Sequence, residues 1–234
     1  MDDLKRFLRD WLKKINEYNH DIADDKKIIL DKRQFCEEDS GDYGLNDDFL
    51  DKCESATYCF IGDNPGENEK NQGEYFYYET NEKERDNRCA GSKIKKLVDT
   101  LVGKEVIYFN KCLIYTPRTK DLKRVDIEKT KGVVCEFIRW LSGINEDIIF
   151  VFFGVNEKFK SIYKELTQDV GRRSIITFHP CGSKYDKEDL SKKLLEREIV
   201  KVKFDDVSCF FGVKEDNDDD PPDDSNGLSP ILMV

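Results

Sequence analysis

The chain is expected to fold as an α/β protein, with a mainly parallel sheet covered on both faces by helices. Four β-like runs lie at about 57–61, 105–109, 147–153 and 173–178. Between them, apolar residues recur at helical spacing. The run Ile148-Ile149-Phe150-Val151-Phe152-Phe153 is apolar throughout, the pattern of a central strand buried on both sides. Strands alternating with helices predict parallel pairing with right-handed crossovers.

The elements follow in order. Leu4, Phe7, Leu8, Trp11, Leu12 and Ile15 line one face of an N-terminal helix. Asp2, Asp3, Asp10 and Glu17 argue against a transit or membrane-surface helix and favour one docked on the core. Residues 1–53 are thus expected to be a helical segment packed on the main domain, 54–214. After the first strand comes a long polar insertion, 67–92, of the length that is functional or disordered. Ile94, Leu97, Val98, Leu101 and Val102 predict a helix before the second strand. Val133, Val134, Phe137, Ile138 and Leu141 predict one before the third, and Phe159, Ile162, Tyr163 and Leu166 one before the fourth. Leu190, Leu194 and Leu195 close the series with a last helix. Residues 201–213 read as an added edge strand, and 215–234 as an acidic disordered tail.

At 234 residues the chain is large enough for one well-buried core. No apolar stretch approaches the roughly 18–20 residues needed to span a membrane. No secretory signal is visible, so an intracellular location, cytoplasmic or nuclear, is expected. The eight cysteines form no CxxC pair, and Cys59, Cys112 and Cys135 read as small buried hydrophobes. No metal site and no soluble cofactor is expected. The formal charge of −10 is uneven: seven acids and no Lys or Arg fall in 215–234, whereas 54–214 carries 27 acids against 29 bases. A small nucleic-acid footprint is compatible with this; a long basic groove is not.

Four short pieces leave the ends of the apolar runs or follow close behind: Gly62-Asp63-Asn64-Pro65-Gly66, Tyr75-Phe76, Asn110 and His179-Pro180. Polar residues just beyond the carboxyl ends of parallel strands gather in one crevice, where open α/β sheets bind ligands. Each piece alone has a plainer meaning. The pentapeptide fits an ordinary strand-to-helix turn, Tyr75-Phe76-Tyr77-Tyr78 a packed strand, Asn110 a strand-end cap, and His179 a structural histidine.

Together, "YCFIGDNPGENEKNQGEYFYY", "VIYFNKCLIYTPR", "IIFVFFGVNEKF" and "SIITFHPCGSKY" resemble the uracil-DNA glycosylase superfamily over roughly residues 55–200. The first motif is closest to the GxNPG form of the mismatch-specific and single-strand-selective branches. The resemblance implies a three-layer α/β/α sandwich around a four-stranded sheet, and a monofunctional base-excision enzyme. Its substrate would be uracil, or a related deaminated or C5-modified base, in single- or double-stranded DNA. By this resemblance Asn64 orients the attacking water toward C1′, Phe76 stacks on the flipped base, Asn110 reads the pyrimidine edge, and His179 donates to O2 as charge grows there. Gly62, Pro65 and Gly66 shape the turn, and Gly66 leaves room at C5. Asp63 departs from the uncharged residue usual at its position; it is either an extra base or a cap.

The segment after His179-Pro180 lacks the family's Ser-Pro-Leu wedge; either Tyr185 substitutes or single strands are preferred. The paired cysteines of the iron–sulfur branch are missing. Arg118, Lys120 and Lys184 are placed to hold flanking phosphates, or form solvated loops. A monomer is expected. The tail's end, Pro230–Val234, either docks on a protein partner or is simply solubilising. The alternative for the whole chain is a catalytically weak or inactive member of the same fold that binds nucleic acid or a partner.

Overall fold

The computed structural model describes residues 2–23, 26–77, 90–154, 156–170 and 173–196. Segments 201–213 and 215–234, expected to be an edge strand and a tail, lie outside the described residues, as do positions 78–89 of the polar insertion.

Helix α1 (Asp2–His20) buries Leu8, Trp11, Leu12 and Ile15. The Trp11 indole donates to Val133 O at 2.8 Å, and its ring packs among Phe35, Phe109 and Phe137 at 5.1–6.3 Å. Each buried apolar side chain of this size contributes about 1.5–3 kcal/mol, so the N-terminal region is part of the core. It is not wholly helical. Strands β1 (Phe35–Glu37) and β2 (Tyr43–Leu45) form an antiparallel pair closed by a turn at Gly41, whose φ is +82°. Strands of three residues are too short for alternation to register in a sequence pattern. Helix α2 (Phe49–Ser55) leads into the main sheet.

That sheet contains β3 (Tyr58–Gly62), β4 (Val106–Asn110), β5 (Ile149–Phe153) and β6 (Ser174–Thr177). The strands run parallel in the order β4-β3-β5-β6. Every residue of β3 and β5, the two central strands, is buried. Helices α1, α5 (Arg124–Ile144) and α6 (Lys160–Val170) cover one face; α4 (Ala90–Thr100) and α7 (Lys187–Leu195) cover the other. The fold is a three-layer α/β/α sandwich around a four-stranded parallel sheet. The short helix α3 (Glu67–Gln72) follows β3 directly, inside what reads in sequence as a continuous polar insertion.

Register places the carboxyl ends level: Gly62 lies opposite Asn110, and Phe153 opposite Thr177. The outer edge of β4 is covered by one side chain. Gln34 donates to Tyr108 O at 2.8 Å and accepts from Tyr108 N at 2.9 Å, pairing the strand as a neighbour would. No helix among the described residues is long and apolar enough to cross a membrane.

Candidate functional site

At the carboxyl ends of β3 and β4 lies a cleft of about 390 Å³. Asp63, Asn64, Phe76, Asn110 and His179 all line it, with Gly62 and Gly66 between them and Arg118 at the rim. Pro65 is buried just behind, offering its carbonyl to the Asn64 amide and to Thr116 N.

The turn after β3 is held from several sides. The 111–116 segment extends the ladder beyond the strands: Lys111 N donates to Gly62 O, Cys112 N to Asp63 O and Thr116 N to Pro65 O. Asn64 Nδ2 donates to Thr116 Oγ1 at 2.9 Å and to Pro65 O at 3.0 Å. That fixes the amide's orientation and leaves Asn64 Oδ1 buried with no hydrogen-bond partner. Across the cleft, Asn110 Nδ2 is likewise buried and unpaired, on a residue only 2% exposed. An unmet buried polar atom costs about 1–3 kcal/mol. An acceptor and a donor left unpaired in one cleft are what a polar ligand would satisfy.

Gly62 has to be glycine here. A Cβ at this position would lie 2.4 Å from Asn110 Oδ1 and 2.9 Å from Phe76 Cζ. Phe76 is the one non-glycine residue with positive φ among the described residues, at +52°, a conformation costing a bulky side chain about 1–3 kcal/mol. Its neighbours over-determine it. Glu69 accepts the N–H of Phe76 with one carboxylate oxygen and that of Gly66 with the other. Asp31 accepts from Tyr75 N at 2.9 Å, Arg33 donates to Tyr75 O at 2.6 Å, and the Tyr75 hydroxyl donates to Ile29 O. A Cβ on Gly91 would lie 2.1 Å from Tyr77 O and 2.6 Å from Phe76 O, so α4 begins hard against this segment. The Phe76 ring meets Phe153 edge-on at 5.7 Å. Burial pushes the Glu69 carboxyl up, against the two N–H groups it accepts.

Asp63 faces a buried cation. Lys111, fully buried, brings Nζ to 2.6 Å from Asp63 Oδ1. Besides this charge-assisted contact, Nζ donates to Phe153 O at 2.7 Å and Gly154 O at 2.8 Å and lies 2.8 Å from the Tyr163 hydroxyl. Burial pulls the Lys111 pKa down, but Asp63 and Tyr163 outweigh it and leave it above its ordinary value, so the pair is ionic. His179, after β6, accepts from Cys181 N on Nδ1 at 3.2 Å. Burial lowers its pKa, with Lys111 and Lys93 adding to the effect and Asp63 opposing it. The ring is therefore neutral at pH 7, with its proton on Nε2.

The remaining expected residues lie apart from the cleft lining. Lys120 is exposed, and its carbonyl receives Lys158 Nζ at 2.8 Å. Lys184 sits over the Phe178 ring at 5.7 Å. Tyr185 is half-buried beside Phe153 at 6.5 Å, with its hydroxyl enclosed and its pKa pushed up by burial to about 12. It packs inward instead of projecting as a wedge. Sequence reasoning did not single out Glu69, Thr116, Lys111, Asp31 or Arg33. Only Glu69 carried a local signal, the spacing from Gly66 at which a carboxylate reaches back to a helix N-terminus. Among the described residues, no three His, Cys, Asp or Glu side chains gather to hold a metal ion. Comparison with protein-family models and with curated protein sequences gives no match for this chain.

Proposed function

We propose that the chain is a base-excision glycosylase that hydrolyses the N-glycosidic bond of uracil, or of a related deaminated or C5-modified base, in DNA. One observation carries the reading. The unpaired Asn64 Oδ1 and the unpaired Asn110 Nδ2 share one cleft with the Phe76 ring and a neutral His179. The resemblance of the four motifs to uracil-DNA glycosylases supports the same assignment of roles.

In this reading the base leaves its stack, at a cost of a few kcal/mol, and enters the cleft against Phe76. Asn110 donates from Nδ2 to O4 and accepts N3–H at Oδ1. Cytosine presents the reverse pattern and is refused. As the bond to C1′ lengthens, electron density collects on the base, and His179 Nε2–H donates to O2. Asn64 Oδ1, aimed by Thr116, accepts a hydrogen bond from the attacking water and orients it. Gly66 is half-buried, and a Cβ there would have only Glu69 Oε2 nearby, at 3.5 Å, which leaves space beside C5.

A second reading, a non-catalytic binding module of this fold, is favoured by the charge of the cleft. Asp63, Glu67 and Glu69 line it and Arg118 is its only Lys or Arg among the described residues, a poor electrostatic match for a run of phosphates. One assay separates the two. The protein is incubated with uracil-containing single- and double-stranded oligonucleotides and then treated with alkali. Strand breakage at the uracil supports excision. No breakage on uracil or any other deaminated base would favour the binding module instead, whether its partner is nucleic acid or another protein.

A further inference from the structure

A departing base carries off a full negative charge, and a neutral His179 N–H offers it only a dipole. The charged groups that act on the His179 ring come from three elements: Asp63 after β3, Lys111 after β4 and Lys93 on α4. Asp63 and Lys111 form a buried pair 2.6 Å apart, so farther out in the cleft their fields largely cancel. Lys93 has no such partner. It stands on the first turn of α4, whose residues Ala90 and Gly91 line the cleft. It is half-buried and forms no ion pair among the described residues. Its ammonium lies over the Tyr185 ring, 5.9 Å from the centroid. Asp186 and Glu188 act on the Tyr185 hydroxyl, but Asp186 caps α7 and Glu188 pairs with Lys187 at 3.3 Å. Tyr185, packed inward, thus seats a cation whose charge nothing nearby neutralises.

We propose that Lys93 supplies the positive charge toward which the base anion departs, with Tyr185 as the positioning residue that holds the ammonium beside His179. The inference rests on the base-excision reading and deepens it. Lys93 gives up no proton. The C1′–N1 bond breaks and its electron pair leaves with the base. The oxygen of one water bonds to C1′, and the proton that this water loses ends on the released base. One field has two consequences: what opposes a proton on the imidazole favours negative charge on the base next to it. The titration of His179 therefore reports the same field that the leaving base feels.

The test is single-turnover base release from a single-stranded oligonucleotide by the full chain, with uracil or 5-fluorouracil at the target position. Fluorine withdraws electrons and makes the departing anion less basic, so that base depends less on outside stabilisation. Lys93→Met should slow uracil release by about 10–50-fold and leave the oligonucleotide Kd within about threefold of wild type. Release of 5-fluorouracil should slow several times less. Lys93→Arg, which keeps the charge, should stay within about threefold of wild type on both bases. Lys93→Gln gives the same comparison should Lys93→Met fail to fold. A second readout needs no turnover. His179 is one of two histidines in the chain, and its NMR titration should move to higher pH in Lys93→Met, because a cation that opposes its protonation is gone.

Equal slowing of uracil and 5-fluorouracil, with weaker oligonucleotide binding and a shallower salt dependence, would make Lys93 a phosphate contact and overturn the inference. A Lys93→Met variant within about threefold of wild type overturns it also, as does a Lys93→Arg variant as slow as Lys93→Met or an unchanged His179 titration. In all of these the wild type still releases base, and the base-excision reading stands. A wild-type chain that releases no base fails the base-excision reading itself, and this inference falls with it.

Discussion

The turn after β3 and the loop after β6 both send side chains into the cleft, and they are built differently. The first is buried and tied down: ladder hydrogen bonds from the 111–116 segment, the Thr116 grip on Asn64, the Glu69 clamp and the Lys111 pair all converge on five residues. The second is looser. The His179 ring has one hydrogen bond, from Cys181 N, while its carbonyl accepts from Gly182 N; Phe178 is 39% exposed, and Cys181, Ser183 and Lys184 face solvent. The difference matches the tasks proposed for the two sides. A water that must attack one carbon needs its acceptor fixed in direction, since a displacement near 1 Å can cost about 10²-fold. A donor meeting a departing, charge-bearing oxygen tolerates more play.

Breaking the rigid side should have the largest effect. Asn64→Ala removes an unpaired acceptor whose direction is set by the neighbouring acceptors of its own amide. Base release should fall by about 10²–10³-fold with oligonucleotide affinity little changed, measured by single-turnover kinetics beside direct binding. Gly62→Ala is next. The added Cβ collides with Asn110 Oδ1 and Phe76 Cζ, so stability should drop by about 1–3 kcal/mol and release by about 10²-fold, read by denaturant unfolding and the same assay. Wild-type behaviour in this variant would mean that Phe76 and Asn110 are not held as described.

Glu69→Gln sharpens the comparison at intermediate size. Its amide can accept only one of the two N–H groups that the carboxylate holds at Gly66 and Phe76. The loss should appear mainly as weaker substrate binding, about fivefold to tenfold for a hydrogen bond worth about 1 kcal/mol or slightly more.

The loose side should show itself through pH. The folded-state pKa of His179 is lowered, chiefly by burial. As pH falls through about 6.5, the unfolded chain takes up this proton before the folded one does, so the residue's share of stability is present above that range and lost below it. The Tm of wild type should therefore fall more than that of His179→Gln on going from about pH 7.5 to about pH 5.5; equal slopes would contradict the burial of a neutral ring. The smallest effects belong to the rim. Arg118→Ala, at the cleft, should weaken oligonucleotide binding severalfold and reduce its salt dependence by about one phosphate contact. Lys120→Ala, away from the cleft lining, should do less.

Much of the fold was legible because the signals are local. Four apolar runs separated by helical spacing suffice to predict a parallel sheet with covered faces, and the uninterrupted 148–153 run marks its centre. The short residues at the strand ends were legible for the same reason: Asn64, Asn110 and His179 stand where a run of apolar side chains stops. The supports behind them were not. Asp31, Arg33 and Gln34 reach partners more than forty residues away, and nothing in their surroundings distinguishes them from surface polar residues. Lys111 is harder still, since a lysine beside a strand end reads as solvated; only the arrival of Asp63, Gly154 and Tyr163 makes its burial possible. Tyr185 misled in the opposite sense, because an aromatic in a polar loop suggests a protruding side chain, whereas here it fills space beside Phe153.

The most direct measurement is a crystal structure of the protein soaked with uracil. The base should lie in the cleft between β3 and β4, its face on the Phe76 ring, its N3–H and O4 on the Asn110 amide and its O2 within reach of His179 Nε2. Uracil bound elsewhere, or seated with its edge turned away from Asn110, would contradict the proposal that these side chains form a receptor for a single pyrimidine.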